Sequence, residues 1–288
     1  SALAPLPCAF SLAGVGNGTL LLIAIAIAND YTSVLMVRAA SRLGGSGYEE
    51  VILAAGGREA LSWCRLALVL LLFGTMCGCL AAIQETAIRA VSALCSPSLA
   101  ELLDPWLLIT ATTFFLLPLS LASLGDMPQV AMLGVTMEIC LALYVVYSAT
   151  QVHLHGSSKV QYVFAAGLDH HDTINLSRAH PNPTARFFAI SQAASTFGYA
   201  FYVQPCAVPL LRTLPRGDKG ATVLCNALHL TFAVTCVSYL MVGLGGLYFF
   251  GEGHVPQDLL QGFDGVIGGS LAAFFALYLM LSFSPIVV

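Results

Sequence analysis

Long apolar runs separated by short polar segments dominate the chain. The full runs approach or exceed the roughly 20 residues that a helix needs to cross the hydrocarbon core of a bilayer. We predict a short first segment and seven full spans, near residues 3–15, 19–41, 61–84, 105–124, 129–150, 187–211, 221–249 and 266–288. Strands could not carry these runs through lipid, because their backbone groups would lie unpaired. The pattern therefore predicts an all-α, polytopic membrane bundle that forms a single transmembrane domain over residues 1–288.

Composition supports a membrane protein and narrows its partners. Hydrophobic residues make up 58% of the chain and charged residues 9%, whereas soluble domains carry about 25% charged residues. A net charge of −4 without a basic run argues against a nucleic-acid partner. The nine cysteines lack repeated Cys-x-x-Cys spacing, and the histidines near 169–172 fit a polar loop, so we expect no metal and no cofactor. Both ends of the chain lie in apolar sequence, which indicates a fragment.

The distribution of Lys and Arg predicts the orientation in the membrane. One set of loops and span ends carries seven basic residues: Arg38, Arg42, Arg58, Arg65, Arg212, Arg216 and Lys219. The opposite set carries four: Arg89, Lys159, Arg178 and Arg186. We therefore place 42–60 and 212–220 in the cytoplasm, and the long loop 151–185 on the extracellular or lumenal side. That loop contains Asn175 in an Asn-x-Ser sequence, which predicts N-glycosylation.

An internal repeat with a period of roughly 200 residues relates the two halves of the chain. The segments near 3–15, 19–41, 48–57 and 61–84 have counterparts near 198–211, 221–249, 256–263 and 266–288. Because each unit would contain five spans, an odd number, the second unit must cross the membrane in the opposite sense. A five-helix inverted repeat is typical of secondary transporters, whose substrates bind at discontinuous helices.

Prolines interrupt the first helix of each unit. Pro5 and Pro7 lie in the first segment, and Pro205 and Pro209 lie in the span near 187–211. Each proline removes a backbone donor and clashes with the preceding turn, so unwound backbone is expected at both places. An ordinary proline kink would explain either one alone. Their matching positions in the repeat favour a pair of broken helices that form a binding site.

Six short motifs resemble those of the amino acid/auxin permease family, which includes neutral amino-acid transporters. They lie, in the family's order, at 1–10, 31–32, 47–51, 118–121, 200–210 and 250–260. The resemblance implies an eleven-span carrier with the leucine-transporter-like fold, of which this chain covers about spans 1–8. It implies amino-acid transport by alternating access, with a cytoplasmic N-terminus that agrees with the distribution of Lys and Arg.

The same resemblance implies where substrate and ion bind. Carried over by position, the substrate contacts are Ser1, Ala2, Leu3, Ala4, Phe201 and Gln204. The fold's sodium site takes a hydroxyl from span eight, for which Ser282 and Ser284 are the candidates. Gln204 stands where many family members have histidine, which removes a titratable group. The coupling ion could therefore be H⁺ or Na⁺.

Three ionisable residues lie within predicted spans. Asp30 and Glu138 are near mid-span, and His229 is about a third of the way into its span. A charge at mid-bilayer costs about 2.5–3.5 kcal/mol on insertion scales. We expect neither acid to have a basic partner at its own depth, which favours a neutral form. Each of the three is a candidate for ion coupling, and a neutral acid bonded between helices is the structural alternative.

Three other classes of membrane protein are less favoured by the sequence. A seven-helix receptor conflicts with the number of spans and lacks receptor motifs. An intramembrane enzyme would need paired catalytic groups on facing helices, and none is visible, so we expect no enzymatic activity. A non-transporting helical subunit remains open. The expected partners are an amino acid and the lipid bilayer, in the plasma membrane or a vacuolar or lysosomal membrane.

Overall fold

The computed structural model describes residues 3–43, 47–94, 110, 114, 128–155, 183–202, 204–211, 213–215, 217–251, 255–256 and 259. Within these residues the chain is helical and contains no strand. The helices are α1 (Leu6–Ala13), α2 (Val15–Leu43), α3 (Tyr48–Leu94), α4 (Pro128–His155), α5 (Pro183–Ala200), α6 (Gln204–Leu211) and α7 (Asp218–Phe250). The predicted spans near 105–124 and 266–288 lie outside the described residues, except for the single residues 110 and 114.

Among the described helices, α2 and α7 are long and apolar enough to cross a bilayer. They contain 29 and 33 residues, which corresponds to about 44 Å and 50 Å at 1.5 Å per residue. The predicted spans near 19–41 and 221–249 fall inside them. Leu20, Ile27 and Leu230 are 64–70% exposed on their outer faces. A surface of this kind is costly in water and suits contact with lipid chains.

A glycine separates α1 from α2. Gly14 has φ +80° and donates its N–H to the carbonyl of Phe10 at 2.9 Å, which closes the last turn of α1. The positive φ is not helical, so it ends α1 and redirects the chain into α2. Glycine adopts such a conformation more readily than other residues.

A second glycine bends α3. Gly57 has φ +72° and ψ −169° inside the helix, at the end of the repeat segment near 48–57 and before the span predicted at 61–84. Across the bend, Arg65 Nε donates to Glu49 Oε2 at 2.9 Å. In a straight helix these residues, 16 positions apart, would be separated by about 24 Å along the axis. The ion pair therefore depends on the bend.

The core is centred on α1, which packs against α2, α5 and α7. Phe10 is fully buried, and its ring lies 5.2 Å from that of Phe197 on α5. Two glycines allow this close packing: a Cβ at Gly18 would be 2.9 Å from Phe10 Cδ1, and one at Gly243 would clash with Cδ2 and Cε2. The ring is thus held between α2 and α7, as small residues permit in membrane bundles.

Candidate functional site

The chain is irregular immediately before α1. Residues 3–5 form a turn, in which the N–H of Leu6 donates to the carbonyl of Leu3 at 3.2 Å. Pro5 precedes the helix, and Pro7 occupies its first turn, where a missing N–H is tolerated. The carbonyl of Ala4 accepts a hydrogen bond from the N–H of Leu259 at 2.9 Å. A distant segment thus satisfies a backbone group that the turn leaves outside the helix.

A second break separates α5 from α6. The helix ends at Ala200, and α6 begins at Gln204 with Pro205 next to it. Just past the end of α5, the N–H of Phe201 still reaches the carbonyl of Phe197 at 3.3 Å. The Tyr239 hydroxyl on α7 donates to the carbonyl of Ala200 at 3.0 Å. A side chain from another helix therefore caps the interrupted end of α5.

Aromatic rings hold this break against α7. The ring of Phe201 is buried and lies 5.2 Å from that of Tyr239 and 6.0 Å from that of Phe232. Tilted aromatic pairs at such distances add about 0.5–1.5 kcal/mol beyond the burial of their area. Phe201, the first residue after α5, is consequently fixed by two rings and by the hydrogen bond beside it.

A cavity of about 300 Å³, which opens on the surface of the helices, lies next to both features. It is lined by Leu3 from the turn before α1, by Val135 and Ile139 from α4, and by Leu230, Thr231, Val234, Thr235, Ser238 and Tyr239 from α7. Its wall is mainly apolar, with the hydroxyl groups on α7. Tyr239 both lines this cavity and caps α5, so it connects the cavity to the break.

A polar pair joins α2 to α7 elsewhere in the bundle. Nδ1 of His229 lies 2.7 Å from Oδ2 of Asp30. The Asp30 side chain is 23% exposed and that of His229 is 50% exposed. The expectation that Asp30 has no basic partner is therefore wrong: the partner is 199 positions away in sequence, and packing of α7 on α2 brings it close.

His229 also lines a polar cleft of about 460 Å³ between α2 and α7. The other lining residues are Arg38, Ser41 and Arg42 from α2 and Asp218, Ala221, Thr222, Cys225 and Asn226 from α7. Those on α7 recur every three to four positions and therefore follow one helix face. The cleft extends along α7 from its first turn to His229, and the last turns of α2 form its other side.

The sequence matches the family described as transmembrane amino acid transporter protein over residues 3–287. The chain belongs to this family. Comparison with curated proteins and with solved structures finds no match. Family membership makes the chain an integral membrane protein of amino-acid transport, and it supports the resemblance drawn from the six motifs.

The structure places part of the transporter's predicted substrate site. Leu3 and Ala4 lie in the buried turn before α1, and Phe201 lies at the end of α5. Gln204 begins α6, but its side chain lies outside the described part of the chain. Ser1 and Ala2 also lie outside it. Tyr239 was not foreseen, because no sequence motif marks which tyrosine of α7 faces the break.

The predicted ion-coupling residues of the transporter fall into two groups. The structure brings Asp30 and His229 together. Glu138 lies in α4, and its side chain is outside the described part of the chain. Ser282 and Ser284, and Asn175 in the loop 151–185, fall outside the described residues.

Proposed function

We propose that this chain is the main part of a secondary active transporter that moves amino acids by alternating access, driven by H⁺ or Na⁺. Membership of the transmembrane amino acid transporter family is the observation that carries the proposal. The irregular backbone before α1 and the break between α5 and α6 add support, since discontinuous helices form the binding sites of many such carriers.

The proposed substrate site lies at these two breaks. The N-terminal ends of α1 and α6 carry the positive ends of helix dipoles, which favour a carboxylate. Carbonyl groups in unwound backbone can accept hydrogen bonds from a substrate ammonium group. In this proposal Leu3, Ala4 and Phe201, with Ser1, Ala2 and Gln204, contact the amino acid. The breaks are proposed to be equivalent members of an inverted repeat.

The coupling ion would bind near the substrate or within the same moving helices. For Na⁺, the candidate ligands are the hydroxyl groups of Ser282 and Ser284. For H⁺, the candidates are Glu138, Asp30 and His229. The proposed orientation puts 42–60 and 212–220 in the cytoplasm of a cell whose plasma, vacuolar or lysosomal membrane holds the transporter.

Gradient-driven uptake tests the proposal. The full-length protein is reconstituted in liposomes, and uptake of radiolabelled amino acids is measured with an imposed Na⁺ or pH gradient. We expect saturable uptake of at least one amino acid that stops when the driving gradient is collapsed. Liposomes without protein are the control. Absence of gradient-dependent uptake across the common amino acids would contradict the proposal and favour a non-transporting subunit.

A further inference from the structure

The pair Asp30–His229 has a geometry suited to binding a proton. One carboxylate oxygen of Asp30, Oδ2, lies 2.7 Å from His229 Nδ1. The other, Oδ1, is buried and has no hydrogen-bond partner among the described residues, and the same is true of the Ser33 hydroxyl one turn further along α2. When Asp30 is ionised and His229 is neutral, the pair holds a single negative charge between α2 and α7. Uptake of one proton converts it to an ion pair with no net charge, in which the imidazolium donates to the carboxylate.

The cleft gives this pair a route to water at one end of the bundle. His229 lies 11 residues after Asp218, which places it about 16 Å along α7 from the start of the helix. Thr222, Cys225 and Asn226 line the cleft between these two residues. Because the lining is polar and the cleft is much larger than a water molecule, solvent can reach the imidazole. Arg38 and Arg42 lie at the same end, which the distribution of Lys and Arg places in the cytoplasm.

The other charged groups near the pair do not replace it as the proton-binding element. Arg38 and Arg42 line the cleft, and neither is hydrogen-bonded to the pair. Asp218 and the Cys225 thiol lie in the same cleft, but neither is hydrogen-bonded to the pair. In the described ranges of α1 and α6, which also pack on α2 and α7, the sequence contains no charged residue.

The remaining helices that pack on α2 and α7 carry charged residues of their own, and within the described side chains none of them is hydrogen-bonded to the pair. On α3, which packs on α2, Glu49 and Arg65 bond to each other, and the other charged residues are Glu50, Arg58, Glu59, Glu85 and Arg89. Along α5, the charged residue is Arg186, in the first turn of the helix. Along α4, which packs on α7, Glu138, His153 and His155 have side chains outside the described part.

We propose that Asp30 and His229 bind one proton between them, that the proton exchanges with the cytoplasm through the cleft, and that its binding ties α2 to α7. The inference rests on the proposed transport function and on the proposed orientation. It makes cytoplasmic pH a regulator of the transport cycle, because the contact between the two helices depends on the proton.

The first test measures thermal stability and does not require transport. The purified full-length protein in detergent is melted at about pH 6 and about pH 8, the range in which histidine usually changes charge. We compare the wild type, Asp30→Asn, His229→Gln and the double variant. Because the proton binds the folded pair, the wild type should gain Tm at lower pH relative to the double variant. The coupling between the two substitutions should be larger at about pH 6.

The second test measures transport with the pH of each side set separately. Stepping the pH on the side of Arg38 and Arg42 from about 6 to about 8 should change wild-type uptake about threefold or more. The same step should change uptake by His229→Gln less than about twofold. Thr19→Ala, at an exposed position of α2 outside the cleft whose hydroxyl bonds to the carbonyl of Val15, keeps both members of the pair and should retain the wild-type response. The exchange D30H/H229D should restore part of it.

These outcomes separate the two proposals. An absence of uptake by the wild type would contradict the transport function, while the melting experiment would still decide whether the pair binds a proton. Uptake with an unchanged pH profile in Asp30→Asn and His229→Gln would refute the inference and leave the transport function intact. Equal coupling at both pH values would also refute it.

Discussion

The burial of Phe10 between two glycines predicts that Gly243→Ala destabilises the bundle. A Cβ at position 243 would clash with two carbons of the Phe10 ring. The ring cannot move away freely, because Gly18 lies on its opposite side and Phe197 packs on it at 5.2 Å. Overpacking of this kind costs about 1–3 kcal/mol, whereas replacing a helical glycine by alanine returns about 0.8–1.0 kcal/mol.

The net cost of this substitution is therefore about 1 kcal/mol. On the scale of soluble proteins, a change of this size lowers Tm by about 2–4 °C. The assay is thermal unfolding of the purified protein in detergent. Gly16→Ala on α2 is the matched control, since its added Cβ would have no neighbour within 4 Å. It should leave Tm unchanged or raise it.

A double substitution identifies the cause. If the Phe10 ring is the obstacle, Phe10→Leu should cost less in the Gly243→Ala background than in the wild type. The difference, the coupling free energy, should be about 0.5–3 kcal/mol. Strict additivity of the two substitutions, or a Tm for Gly243→Ala equal to that of Gly16→Ala, would refute the packing described here.

Three further substitutions test separate features. Tyr239→Phe leaves the carbonyl of Ala200 without its hydrogen bond but keeps the ring contact with Phe201. Unfolding in detergent should show a loss of about 1–3 kcal/mol in the free energy of unfolding. An unchanged Tm would argue against the cap. Gly57→Ala adds no steric contact but places alanine at φ +72° and ψ −169°. The same assay should show a cost of about 1–3 kcal/mol, and a value near zero would contradict the bend. Asn175→Gln should abolish N-glycosylation and speed migration on a denaturing gel after expression in eukaryotic cells, whereas an unchanged band would count against the proposed side of the loop.

The sequence predicts α2 and α7 well, because the length of an apolar run is a local property. The predicted spans near 19–41 and 221–249 fall within α2 and α7, which extend one to four residues further at each end. The extra residues continue to glycines with positive φ, Gly14 before α2 and Gly251 after α7. Hydropathy does not report these backbone conformations, so the exact ends could not be predicted.

The candidate site is only partly predictable for a related reason. Prolines mark the two breaks because their effect on the backbone is local. The contact of Asp30 with His229 depends instead on how far α7 is rotated and shifted along α2, and the sequence does not express that register directly. The same holds for Tyr239, whose hydroxyl reaches Ala200 from a helix that begins 18 positions later, at Asp218.

Counterflow tests alternating access most directly. Liposomes containing the full-length protein are loaded with a high concentration of an unlabelled amino acid and diluted into a trace of the same labelled amino acid, with no ion gradient. The account predicts transient accumulation of labelled amino acid above its equilibrium level. A carrier by alternating access brings one labelled molecule in and carries one unlabelled molecule out in each cycle. A monotonic approach to equilibrium, or no entry of label beyond protein-free liposomes for any amino acid, would contradict it.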